Sequence, residues 1–195
     1  MKKLKLIILI SVSLSLTSCL FNLTKDFYVY KLPIVKPDKE IPLKLDGVYL
    51  CNQKHGSVFY LFSDGSCKWA GWGAYCCPLT GEPVPIEDIE QGWPFSSRQA
   101  HWGHYAIIGD SIIIQDFTKN NQEIVNHWII EYTGKILNDT TFELYTLYSY
   151  WGKDSLEFGT QLYKYFAIEI KPDSSDIWFN HKKWFKKGLH ESRKP

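Results

Sequence analysis

Cysteine supplies the most reactive side chains in this 195-residue sequence, at positions Cys19, Cys51, Cys67, Cys76 and Cys77. Cys19 closes a stretch with the layout of an export signal. Lys2, Lys3 and Lys5 form a basic start, and residues 6–16 are apolar apart from Ser11, Ser13 and Ser15. That run is too short to span hydrocarbon as a helix, which takes about 20 residues. The other four cysteines then belong to an exported chain in an oxidising compartment, where disulfides persist. Adjacent cysteines bond to each other only with strain. This leaves Cys51–Cys76 with Cys67–Cys77, or Cys51–Cys77 with Cys67–Cys76. One bridge with two thiols, inert buried thiols, and a thiolate metal site are the competing readings, and no Cys-x-x-Cys spacing favours the last.

Histidine is the next candidate. His101 and His104 stand in His-Trp-Gly-His, which is not the i, i+4 spacing of helical zinc ligands. On a strand they point to opposite faces, whereas in a loop they can converge; His127 adds a third ligand only if register allows. Hydrogen-bonded or rim histidines are the simpler expectation, so no metal and no cofactor is assigned. The chain has no G-x-S-x-G nucleophile turn and no phosphate-binding glycine loop, and no catalytic residue is assigned. The aromatic content is the stronger pointer: 16%, with 8 Trp, 12 Tyr and 11 Phe. Trp69 and Trp72 lead into a Gly/Pro-rich excursion over residues 72–100, Trp93 and Trp102 frame its end, and Trp128 recurs on a later strand. These five indoles are the candidate ligand-binding residues. The competing reading makes them core.

The elements that position these residues read as short β-type runs parted by turn signals. The runs cover 47–52, 57–62, 67–71, 102–108, 111–117, 124–133, 135–137, 141–150 and 163–170. Asp64-Gly65, Gly109-Asp110 and Asn138-Asp139 mark tight hairpins, since these residue types tolerate φ > 0. Short connections make neighbouring strands antiparallel, and closing such a meander removes its exposed edges. The expected fold is therefore mainly β: an up-and-down antiparallel barrel of about eight strands. After Pro172, Asp173-Ser174-Ser175-Asp176 reads as the cap of a short C-terminal helix. Its apolar residues Ile177, Trp178, Trp184, Phe185 and Leu189 are expected to pack on the barrel, with Lys182, Lys183, Lys186 and Lys187 outside. Residues 19–44 carry Pro33, Pro37 and Pro42 among lysines and read as an extended tether, with some β-edge character over 27–30. The organisation is thus 1–18 signal peptide, 19–44 tether and 45–195 a single barrel domain with a long loop at 72–100.

Leu16-Thr17-Ser18-Cys19 resembles the lipobox of bacterial lipoproteins. That resemblance implies cleavage before Cys19, a diacylglycerol on its thiol and acylation (for example by palmitate) of the new amine. A plain secretory signal with an incidental cysteine is the alternative. Removing residues 1–18 removes three lysines and turns the net charge of +1 into −2 over 177 residues. Neither value suits a nucleic-acid binder, which shows a basic stripe. Two or three acyl chains anchor a protein stably to a membrane, and Leu20, where an inner-membrane retention Asp would stand, favours the outer membrane. Phe62-Ser63-Asp64-Gly65 and the hairpin over 105–114 resemble small lipocalin-like (calycin) lipoproteins of Bacteroidetes-type bacteria, across residues 45–170. The expectation is a lipid-anchored module of the cell envelope that binds a small apolar ligand or a glycan. Its alternative is a protein-interaction or structural module whose barrel is filled.

Overall fold

The computed structural model describes residues 26–32, 43–45, 47–51, 57–70, 100–119, 127–150, 154–168 and 173–192. Eight strands follow one another: β1 (Gly47–Cys51), β2 (Val58–Leu61), β3 (Ser66–Ala70), β4 (Ala100–Ile108), β5 (Ser111–Lys119), β6 (His127–Asn138), β7 (Thr141–Ser149) and β8 (Asp154–Ala167). Each pairs antiparallel with the next, and β8 returns to β1 from Gly47↔Ala167 to Cys51↔Tyr163. The result is a closed up-and-down barrel, as the turn chemistry predicts.

The hairpins form where the sequence places φ > 0 residues. Gly65 has φ 85° and Gly109 φ 63°, a region that costs an L side chain steric energy but not glycine. Asp64 closes its turn by accepting from Ser66 N at 2.9 Å and Ser66 Oγ at 2.5 Å. Asn138 does the same for Thr140 N and Oγ1 at 3.0 and 2.9 Å.

Two runs differ from expectation. The runs read at 124–133 and 135–137 are joined: residues 127–138 form one twelve-residue strand, β6, and residues 124–126 lie outside the described residues. Gly134 looks like a break, but it sits at a register shift against β7, where a Cβ would run into the Glu143 carbonyl. A bulge there bends the strand without ending it. The last run begins at Asp154, well before residue 163, because its polar first half finds its partners on β7.

Every strand contributes to one interior cluster, including Tyr49, Phe59, Tyr105, Ile112, Tyr132, Phe142, Leu144 and Tyr163. A separate aromatic cluster lies on the outer wall of β4–β6, where Trp102, Phe117 and Ile129 meet both chain ends. Residues 26–32 are therefore not extended tether. Phe27, Val29 and Tyr30 are almost fully buried, and Val29–Lys31 is a 3-10 turn and no β edge. The apolar side chains of this stretch outweigh the extended preference of the prolines that follow it. At the other end, Asp173 caps as expected, accepting from Ser175 N, but it opens a 3-10 turn. A second follows at Trp178–His181, and α1 begins only at Lys183, running to Ser192. No helix among the described residues is long and apolar enough to cross a membrane.

Candidate functional site

The two ends of the barrel are built differently. At one end, tight turns join β2–β3, β4–β5 and β6–β7, and Leu43 packs with Tyr49 and Phe142 into the interior cluster. Tyr49 Oη donates to the Lys44 carbonyl at 2.8 Å, and Lys44 N donates to the Asp139 carbonyl at 2.8 Å. The rings of Tyr49 and Phe142 lie 4.9 Å apart, and those of Phe142 and Tyr163 stack at 5.0 Å. This end is closed by apolar packing.

Polar side chains enter the interior toward the opposite end. Register lines up Phe59, Trp69 and His101 across β2, β3 and β4. The neighbouring row holds Cys67, Gly103, Asp116 and Ile130. The Trp69 and His101 rings are 5.2 Å apart, and Tyr132 lies 6.1 Å from Trp69. Asp116, 1% exposed, places Oδ2 4.0 Å from His101 Nδ1. That is too long for a hydrogen bond. Burial lowers the His101 pKa, so at neutral pH the imidazole is uncharged and the pair is not an ion pair. Trp69 is 9% exposed, and its Nε1–H is buried with no hydrogen-bond partner among the described residues.

The other interior groups are inert. Burial, with Asp116 and Asp64 adding repulsion, raises the Cys67 thiol well above its ordinary pKa. Burial and the Asp116 charge do the same for the Tyr132 phenol. Ser57 Oγ and Tyr163 Oη are 2.6 Å apart, and Tyr163 Oη donates to Gln161 Oε1 at 2.9 Å. Cys51 also hydrogen-bonds the Tyr163 side chain. Cys51 and Cys67 are buried and form no disulfide with one another. Cys76 and Cys77, which complete both proposed connectivities, lie outside the described residues, as do Cys19, Trp72 and Trp93.

Trp69 and Trp102 are not brought together. Odd-numbered residues of β4 face the interior, so Trp102 faces outward, stacked on Phe62 at 5.9 Å with Lys68 Nζ 4.7 Å from its ring centroid. Trp128 is the second residue of β6, in register with Thr118. His101 and His104 likewise lie on opposite faces: His101 contacts Trp69, and His104 contacts Phe179 and Phe185 outside. Among the described residues no group of three His, Cys, Asp or Glu side chains converges. Sequence reasoning missed Asp116. Its signal was a carboxylate in alternation with Ile112 and Ile114, the position of an acid on a core face. No protein-family model matches the chain, and no curated protein or solved structure does.

Proposed function

We propose that this protein is a lipid-anchored lipoprotein of the bacterial cell envelope, held at the outer membrane through Cys19, whose barrel binds a small ligand. The observation that supports ligand binding is the buried Trp69 Nε1–H, a donor with no acceptor among the described residues, on a ring beside uncharged His101, which in turn lies next to the Asp116 carboxylate. An orphaned donor in a barrel interior costs about 1–3 kcal/mol, which a bound acceptor recovers. Of the two ligand classes, a glycan fits this set better than an apolar molecule. Its hydroxyl groups both accept from an indole N–H and donate to a carboxylate. Trp69→Phe keeps the ring and removes the donor, so it is expected to weaken binding roughly five- to tenfold. Native mass spectrometry of protein extracted from its host, followed by titration of the released ligand into wild type and variant, measures this. Absence of any co-purifying molecule from the wild type counts against the reading.

One observation favours the second reading, an interaction or structural module without a ligand. The closed end is filled by Tyr49, Phe142, Leu144 and Tyr163, all fully buried. Extension of that packing to the far end would leave no room for a ligand.

Anchoring is tested separately. Cys19→Ala is expected to abolish incorporation of labelled palmitate and to yield an uncleaved or soluble chain. A variant that remains membrane-bound at the processed size and still carries acyl chains excludes Cys19 as the anchor.

A further inference from the structure

We infer that the lysine-bearing face of α1, with Lys31 beside it, rests on an anionic lipid headgroup layer. Helix α1 buries Phe185 and Gly188 and exposes Lys183, Lys186, Lys187 and His190. Lys182 precedes it, also exposed. Residues 182–194 hold Lys182, Lys183, Lys186, Lys187, Arg193 and Lys194 against Glu191 alone, a local charge of +5. Glu191 lies 3.8 Å from Lys187, and both are largely exposed, so this contact is weak and solvent-screened. The rest of the chain beyond residue 18 then carries −7, because that part as a whole carries −2. A net positive charge is therefore concentrated on this one short segment.

Placement gives this asymmetry a direction. The 3-10 turn Val29–Lys31 packs directly on α1: Tyr30 and Phe185 have ring centroids 4.7 Å apart. Gly188 allows the approach, since a Cβ there would run into the Tyr30 ring and hydroxyl. Lys31 follows at the surface, its Nζ 5.6 Å from the Tyr30 centroid. Upstream, Gln115 holds the backbone of residues 26–29 to the barrel wall. Cys19 precedes Asp26 by seven residues, a span of at most ~25 Å when fully extended. A lipid on Cys19 therefore tethers the membrane from the wall that carries α1. Half-buried Trp184 lies at the same site, 5.9 Å from Tyr30, an amphipathic ring of the kind that settles at headgroup level. Each lysine near an anionic surface strengthens attachment about fivefold.

The orientation argument rests on the lipid-anchored reading; the charge argument does not, and the experiment reads them apart. The full chain is reconstituted with phosphatidylcholine vesicles, with and without phosphatidylglycerol. Flotation on the neutral vesicles and the mass of the N-terminal peptide report the anchor. Lysine acetylation then reports the face. In the anionic vesicles Lys183, Lys186 and Lys187 are expected to label severalfold more slowly than in neutral ones. Lys164, exposed on the opposite wall, should not change, and high salt should remove the difference. Equal labelling in both vesicle types overturns the inference with the anchor intact. If the chain proves unanchored, flotation with anionic vesicles alone still supports the face, and flotation with neither overturns it. In that case the K183Q/K186Q/K187Q variant should lower partitioning roughly a hundredfold. Unchanged partitioning assigns the binding elsewhere.

Discussion

Acidification from pH 6.5 to pH 4 is expected to remove about 3 kcal/mol of folding stability through His104 alone. This imidazole sits on the outer face of β4 in a cage of rings: Phe185 at 5.2 Å, Phe179 at 5.8 Å, and Phe27 and Tyr30 at 6.1 Å. One nitrogen donates to the Gly65 carbonyl, and Nε2 is buried without a hydrogen-bond partner among the described residues. Protonation would place a charge at a nitrogen that no described residue accepts from. Burial therefore lowers the pKa from 6.5 to about 4, although Asp64 and the Gly65 carbonyl pull it the other way. Because the folded pKa lies below the unfolded one, the unfolded chain takes up the proton first. The stability is complete above pH 6.5, declines through the window, and levels off below pH 4. His101 is shifted in the same direction, so the measurement compares wild type with His104→Phe, which lacks this titration and, at every pH alike, the bond to Gly65. Denaturant unfolding at pH 7.5 and pH 4 should give a wild-type loss exceeding that of the variant by the amount stated. Parallel losses in the two proteins would show that His104 is not buried in its neutral form. The cage joins residues 26–32 and 173–192 to the barrel, so these two ends are expected to loosen first on acidification.

Replacing Gln115 by Leu should cost about 3–4 kcal/mol and release the N-terminal segment. Gln115 is fully buried on the outer face of β5. Its Oε1 accepts from Tyr28 N at 2.9 Å and Val29 N at 3.1 Å. Its Nε2 donates to the Asp26 carbonyl at 3.0 Å and to Glu131 Oε2 at 2.8 Å. One amide thus satisfies three backbone groups of a segment that has no strand to pair with, as buried backbone groups require. Leucine matches the volume but leaves those groups orphaned. Gln115→Glu separates the contributions: it still accepts from both N–H groups, loses the donor to Asp26, and faces Glu131 with a second carboxylate. Limited proteolysis between residues 20 and 45, read with thermal unfolding, should show rapid cleavage in the leucine variant and an intermediate rate in the glutamate one. Cleavage and melting unchanged in both would mean that ring packing alone holds the segment.

The strand order was legible because it rests on local chemistry. Asp64-Gly65, Gly109-Asp110 and Asn138-Asp139 turn the chain within a few residues, and a tight turn leaves its two strands no arrangement but antiparallel neighbours. The opposite facing of His101 and His104 follows from the two-residue period once β4 is seen to begin at Ala100, ahead of the run read at 102–108. The candidate site was less legible. Trp69 and Trp102 looked equivalent, since each ends a strand beside the same excursion, yet one enters the barrel and the other lies under the chain ends.

What the sequence by itself determined is the meander, its turns and the alternation along each strand. What only the tertiary structure decided is which face is inside. On β4 and β5 both faces are buried, one by the barrel interior and one by residues 26–32 and 173–192. Alternation identifies the inner face only when the other face is polar. Here Trp102, His104, Gln115 and Phe117 occupy the outer face, and contacts from segments some ninety residues away in sequence make it a second core. Those contacts leave no local pattern, which is why the same aromatic excess that announced a β protein could not say where its rings would meet.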